Sequence, residues 1–562
     1  MQGRYNYDFS TSFTESNDPG GIGTNVPTNA DGTYKGAYNL SDGKGTDVNA
    51  DFLVGANKEF GKFSIDASFG GNTWRVKNQG FRQNASNFVV QNLYTIGNGS
   101  IRNQFYDFSR FRVNSMYGLA EFGYNNMLYV NFTARNDWFS VLNPANNSEL
   151  YQSVSGSFIF SEMMGEQDWL SYGKLRASWA QVGSSQGVNP YDGLLTYGIG
   201  QNQFNGTSLG NISGNTAPNQ FLKPFTLNEK EVGLEMKMFK NRVGIDVSYF
   251  HKVSKDQVLN VILSNTSGYD QSKQNLGSIQ NSGLETLLSL TPVDNKNFGW
   301  TTSWNNSYLA TKVLSVGAPS EIIVLNWGAT GNEFIGQLRY VEGQPMNQIY
   351  ARTYKRDAAG NIMLTNQGRL IPSDNYVSYG SALPKFTGGW NNSFHYKALS
   401  LGVFFDYKFG GKVFSSTALN ANRQGHSKQS LVGRREGETG VVFPGVTPDG
   451  KPNTVAVNPA QFYADYRNNQ MADIVTYKSD FVKLRNVSVS YDLTSVMQKA
   501  GALKFFKGLT LTASGRNLAI LHKDLQDLDP EAVQSSGDFR VGYENTSLPT
   551  TRNFVLSLNA KF

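Results

Sequence analysis

The 562 residues would fill three or four ordinary domains, yet no Pro-rich, Ser-rich or charge-run linker divides them, so one long repetitive architecture is expected. Only 39% of residues are hydrophobic while aromatics reach 13% and Gly numbers 58, a balance that favours β structure over a Leu/Ala-rich helical core. The absence of Cys excludes disulfides, thiolate metal sites and a cysteine nucleophile, and interspersing 50 basic with 44 acidic residues argues against a nucleic-acid patch.

No apolar stretch approaches the roughly 18 residues that a membrane-spanning helix needs, and the first residues, Met1 to Tyr7, lack the basic-then-apolar layout of a signal peptide. A β-barrel remains open, because it hides its membrane signal in alternation. That alternation begins at once. Tyr5, Tyr7, Phe9 and Phe13 share one parity, and Asn6, Asp8, Ser10 and Ser12 the other. It recurs at Phe63-Ile65-Ala67-Phe69, Leu128-Val130-Phe132-Ala134, Leu175-Ala177-Trp179 and Val243-Ile245-Val247-Tyr249. Trp300-Thr302-Trp304, Leu399-Leu401-Val403-Phe405, Leu509-Leu511-Ala513 and Phe554-Leu556-Leu558-Ala560 continue it to the end. The pattern predicts about sixteen strands, near 3–13, 46–60, 61–77, 112–125, 126–138, 150–162, 169–182, 226–239, 241–254, 279–293, 297–313, 384–396, 398–412, 474–493, 506–518 and 551–562.

The connections alternate. Those at 14–45, 78–111, 139–149, 183–225, 255–278, 314–383, 413–473 and 519–550 are long, and those at Phe60–Gly61, Asn125, Lys240 and Ala398 are tight. A sandwich or propeller has no reason to keep every long loop at one end, whereas an outer-membrane barrel has short periplasmic turns and long outer loops. The wet parity carries charge, as a water-filled lumen permits, and the oily parity carries Phe, Trp, Tyr, Leu and Val, as lipid requires. The fold class expected is therefore all-β, a transmembrane antiparallel β-barrel.

Little catalytic chemistry is present. Gly183-Ser184-Ser185-Gln186-Gly187 satisfies G-x-S-x-G but enters a polar loop instead of a strand-to-helix elbow, so the chain is expected not to be an enzyme. Asp524, Asp527, Asp529 and Glu531 form an acidic run without the glycine turn of a calcium loop and are expected to be solvated. No metal or cofactor motif appears, and the four His lie far apart.

Particular words in the sequence resemble the SusC/RagA-type TonB-dependent outer-membrane transporters of Bacteroidetes. Asn275-Leu276-Gly277-Ser278-Ile279-Gln280-Asn281-Ser282-Gly283-Leu284-Glu285 is similar to the family's N-x-G-x-I-x-N-x-G-x-E, and Pro384-Lys385-Phe386-Thr387-Gly388-Gly389 to its P-K-F-x-G-G. Phe409-Gly410-Gly411, Phe481-Val482-Lys483-Leu484-Arg485-Asn486, Gly515-Arg516-Asn517-Leu518, Asp529-Pro530-Glu531 and Leu548-Pro549-Thr550 follow in the family's order. Taken singly, these glycines are expected to mark bulges or close strand approach, and Arg485 and Arg516 to be paired or solvated in the lumen.

The resemblance implies energised import of a glycan or peptide, with a SusD-like surface lipoprotein as lid and TonB acting through a plug. It also implies a barrel of 22 strands. Residues 1–562 are accordingly expected to be the C-terminal portion of such a barrel, sixteen strands of 22, with no plug domain in this sequence and with β edges at 3–13 and 553–562 left apart. A self-closed 16-stranded diffusion porin is the alternative. Loops 183–225, 314–383, 413–473 and 519–550 are expected on one side, opposite Phe562, with Trp327 and Tyr376 as substrate-binding candidates.

Overall fold

The computed structural model describes residues 1–18, 36–165, 167–317, 322–327, 336–499, 507–533 and 539–561. Among them run sixteen strands of nine residues or more. They are β1 (Gln2–Asp18), β2 (Ala37–Phe60), β3 (Phe63–Phe88), β4 (Gly99–Tyr124), β5 (Leu128–Phe139), β6 (Ser148–Phe158), β7 (Leu170–Ser184) and β8 (Phe225–Met238). There follow β9 (Val243–Ile262), β10 (Gln271–Asp294), β11 (Phe298–Ser315), β12 (Phe386–Tyr396), β13 (Leu399–Phe409), β14 (Phe481–Asp492), β15 (Gly508–Lys523) and β16 (Asn553–Lys561). Each coincides with one predicted strand. No described helix is long and apolar enough to cross a membrane.

One compact unit comprises Met1–Gly156, Trp179–Asn228 and Asp256–Asn275. Within it β1 to β5 form an antiparallel meander, with Gln2 opposite Leu53, Phe60 opposite Phe63, Phe63 opposite Tyr124 and Tyr124 opposite Leu128. The β2–β3 turn places Gly61 at φ 63°, and the β4–β5 turn places Asn125 and Asn126 at 53° and 55°, the left-handed region that Gly and Asn tolerate.

The strands of this unit overrun the prediction. The expected loop 78–111 is mostly ladder, since β3 runs to Phe88 and β4 starts at Gly99. At about 3.3 Å per residue the 26 residues of β3 extend roughly 85 Å, far beyond the 9–11 residues that cross a bilayer. Beyond the membrane both faces meet water, so the oily/wet alternation fades while the backbone ladder continues.

The other unit comprises Ser157–Ser178, Glu229–Lys255 and Leu276–Phe562. Here β10 to β16 pair in sequence, through Leu288–Trp304, Trp304–Trp390, Trp390–Phe405, Val403–Val487, Val489–Ala513 and Ala513–Leu556. Phe554, Leu556 and Leu558 on one face of β16 are 76%, 73% and 65% exposed, and Trp304 and Trp390 are exposed as well. Rows of bare aromatic and aliphatic side chains make sense only against lipid.

The loops 314–383, 413–473 and 519–550 are not independent. They fold into one body around Leu338, Ile349, Leu364, Phe414, Leu419, Phe462, Tyr466 and Tyr543, all buried. Ile322–Trp327, Gln337–Val341, Gln348–Ala351 and Val377–Ser381 form its four-stranded sheet. The helix Ser416–Gln424 is capped by the Ser415 hydroxyl and closed by Gly425 at φ 78°, and Pro459–Asn468 is capped by Asn458 with Pro459 at its first turn. Three of the four loops expected on one side thus share one body; loop 183–225 belongs to the other unit, and Phe562, named as the opposite pole, lies outside the described residues.

Among the described residues β1 has one ladder partner, β2, and β16 has one, β15. All seventeen residues of β1 are exposed.

Gly283 of β10 lies so close to the Phe250 ring and the Tyr308 carbonyl that a Cβ would collide with both, which bears out the close-approach reading. Gly283→Val is predicted to cost about 1–3 kcal/mol or more and to lower the heat-modifiable, folded fraction in outer membranes, because backbone cannot move aside. Gly118→Ala, whose Cβ would meet only the Ser68 carbonyl at 3.8 Å, should assemble normally.

Candidate functional site

Several of the family-like words meet in one charged knot at the start of β14. Lys483, 2% exposed, donates from Nζ to Asp529 Oδ1 (2.7 Å) and Glu531 Oε2 (2.6 Å). Arg485 donates to Glu531 (2.8 and 2.9 Å), to Asp406 Oδ2 (2.5 and 3.0 Å) and to Asn517 Oδ1 (2.7 Å). The local fold explains why. Both ladders of β14 skip Arg485, which is a bulge residue, and the β15 side of the same irregularity holds Asn517 at φ 53°. A bulge re-aims its side chain, and here the Arg of L-R-N is aimed at the Asn of G-R-N-L and the Glu of D-P-E. Gly410 N–H donates to Asp480 Oδ1 (2.7 Å), and Thr550 donates to Asp529 Oδ2 through its N–H (2.8 Å) and its hydroxyl, tying in two further words.

The expectation that Arg485 is paired therefore holds, and Arg516 is exposed. The expectation of a solvated acidic run holds for Asp527, which is exposed, and needs correction for Asp529 and Glu531. Asp529 is 9% exposed and Glu531 half-buried, each engaged by cations from the strand. Sequence distance hid this, since 46 residues separate Lys483 from Asp529. Burial pushes the Asp529 carboxyl up, but its bonds to Lys483 and Thr550 outweigh this and hold it down at about 2.

A second arrangement sits on the folded loops. The Tyr376 ring lies 5.0 Å from the Arg339 guanidinium and 5.9 Å from that of Arg352, and Arg339 also lies 4.7 Å from the Tyr350 ring. The Tyr376 hydroxyl donates to Gln470 Oε1 (2.6 Å), and Arg339 Nε donates to Gln337 Oε1 (2.8 Å). Burial lowers the Arg339 pKa, and no carboxylate offsets it. Arg352 Nε is buried without a hydrogen-bond partner. Two cations with rings, and with no ion pair to an acid among the described residues, make a place where a carboxylate or polar planar group gains bidentate donors and an aromatic face.

Of the two predicted site residues, Tyr376 belongs to this cluster. Trp327 pairs through its backbone with Gln337, the residue that receives Arg339, and its side chain lies outside the described residues. Arg339, Arg352 and Gln470 were missed. They are isolated in the sequence; the small sheet brings Arg339 beside Arg352, and the turn after the helix Pro459–Asn468 brings Gln470, whose carbonyl accepts from Arg352 N–H. Ser185 of the G-x-S-x-G word is buried just after β7, where its carbonyl accepts from Val188 N–H in a turn, with no helix following.

Comparison with known proteins points one way. Residues 1–518 match the model of a family described as TonB dependent receptor-like, beta-barrel. The chain is 24% identical to TonB-dependent receptor P3 of Formosa agariphila across 99% of its own length and 56% of that protein's. It is 22% identical to TonB-dependent receptor SusC of Bacteroides thetaiotaomicron, across 80% of its own length and 43% of that protein's. Among solved structures it superposes on the RagAB peptide transporter with a TM-score of 0.76 at 19% identity, covering 100% of this chain and 60% of that one. On the same importer in its closed-closed state the TM-score is 0.78. The chain spans about half the length of the curated relatives it matches.

Two outcomes are expected of the charged knot. Lys483→Met should destabilise by on the order of 3 kcal/mol, seen as a lower unfolding temperature, because it leaves Asp529 without its cation, while Lys483→Arg should cost much less. Acid should free the loop. A carboxyl depressed in the folded state stabilises above its ordinary pKa of 3.8, and that contribution fades as pH falls toward about 2. Proteolysis within 524–550 should rise across that window, and Asp529→Asn should remove the dependence.

Proposed function

This chain belongs to the TonB dependent receptor-like β-barrel family, whose members sit in the bacterial outer membrane, and from that premise we propose that it forms the wall and outer loops of an energised importer. In this proposal the cargo is a glycan or peptide, a SusD-like surface lipoprotein closes over the loops, and TonB acts through a plug. SusC and the RagAB peptide transporter among the similar proteins support that choice of partners and cargo. No catalytic step is assigned to the chain.

The observation that carries the proposal is the Arg339–Tyr376–Arg352 cluster on a cored body built from three long loops. Such a body presents a preorganised polar and aromatic face, which lowers the ordering cost of binding. Two features favour it over the self-closed porin. A diffusion pore needs no folded body made from three loops, and β1 and β16 each have one ladder partner among the described residues. In lipid each edge needs a second partner, which on this proposal comes from strands beyond these sixteen.

Reconstituted into liposomes, the intact receptor should give no passive swelling with small sugars or amino acids; rapid swelling would establish the porin instead. Tyr376→Ala and Arg352→Gln should each weaken cargo retention roughly tenfold or more in a receptor that still assembles. Unchanged retention in both would remove the cluster from the binding path.

A further inference from the structure

The register of β1 to β5 allows their lipid-facing side to be followed rung by rung. The lowest rung joins Phe60, Phe63, Tyr124 and Leu128, and the rungs above it carry Lys58, Ile65, Phe122 and Val130, then Ala56, Ala67, Ala120 and Phe132. Five rungs above the lowest stand Tyr5, Ala50, Thr73, Asn114 and Trp138. The next rung changes character. Arg75 lies directly opposite Arg112, and one rung on Lys77 lies directly opposite Arg110. Lys44 follows on β2, beside Gln79. All five cations are exposed.

Like charges set opposite each other on a ladder destabilise it, so this arrangement calls for a compensating anion. Among the described residues none pairs with them. The four cations of β3 and β4 make no ion pair with any described residue; Lys77 and Arg110 lie only over the Phe108 ring, at 5.8 and 5.2 Å. The first carboxylate on this face of β2, Asp42, is one rung beyond Lys44. The four cations line a cavity of about 830 Å³ with Trp138 and Tyr191, and no acidic side chain lines it.

The height of the row identifies the anion. From Phe63 to Arg75 the strand advances twelve residues, about 40 Å at 3.3 Å each, which a tilt of 35–45° reduces to roughly 30 Å along the membrane normal. That is the thickness of the hydrocarbon core. The aromatic rung just below, with Tyr5 and Trp138, falls where an interfacial girdle belongs, and the cations fall one rung higher, among the headgroups. We propose that Arg75, Lys77, Arg110 and Arg112 form a binding site for the phosphate groups of an anionic lipid in the outer leaflet. A phosphate offers oxygens to both paired rungs at once, matches the guanidinium fork and relieves the cross-strand repulsion. Soluble cargo is disfavoured because the row continues the lipid-facing parity, whereas Asp47, Trp74 and Asp137 occupy the other face.

The test is lipid selectivity of the intact receptor reconstituted in phosphatidylcholine, with spin-labelled phosphatidic acid or spin-labelled phosphatidylcholine as the probe and the motionally restricted fraction as the readout. The native protein should prefer phosphatidic acid by about tenfold or more, and Arg75→Gln/Lys77→Gln/Arg110→Gln/Arg112→Gln should lose that preference. If the quadruple variant does not assemble, the native protein decides alone, because an electrostatic preference must collapse at high salt. No preference in the native protein, a preference that survives the four substitutions, or one that survives high salt would each overturn the site. Displacement of the labelled lipid by equimolar inorganic phosphate, or by a soluble acidic oligosaccharide, would show a free-anion or cargo site instead and would likewise overturn it.

Discussion

A strand in hydrocarbon has no water to satisfy its N–H and C=O groups, so every ladder must be completed by another strand, and most of what is seen here follows from that requirement. It explains why β1 to β5 in one unit and β10 to β16 in the other each pair neighbour to neighbour in antiparallel order. It also explains why side chains must divide into two rows, since the face that cannot be wet is bounded by the face that must be. One irregularity, the bulge at Arg485, aims that side chain at a loop and so ties loop to wall.

Once outside the membrane the same backbone is free to do other things, and two solutions coexist. In β3 and β4 the ladder simply continues, and its lipid-facing row changes from Phe, Ile and Ala to Arg and Lys about one hydrocarbon thickness along. In the loops after β11, β13 and β15 the chain leaves the ladder and builds a soluble-type core from Leu, Ile, Phe and Tyr. The charged knot joins these worlds. Lys483 and Arg485 belong to a strand, Asp529 and Glu531 to a loop, and a buried cation that lost its acids would be costly enough to hold the loop in place.

How much of this was legible varies with the range of the interaction. Strand positions were legible because alternation is local: Phe554-Leu556-Leu558 announces its lipid face within five residues. Strand lengths were not, because β3 between Lys77 and Phe88 has polar residues on both faces and offers no period to read. Tyr376 was singled out as a loop aromatic, but its partners Arg339, Arg352 and Gln470 have no signature of their own.

The sequence by itself determined the class of structure and the number of long strands, because each depends on a side-chain alternation between residues one or two apart. Only the tertiary structure decided what the charges do. Asp529 and Glu531, from an acidic run that looked solvated, neutralise Lys483 and Arg485, and cations that look scattered, Arg75, Lys77, Arg110 and Arg112, stand opposite one another as a single row. Charge pairing depends on register, and register links residues dozens of positions apart, which no local pattern records.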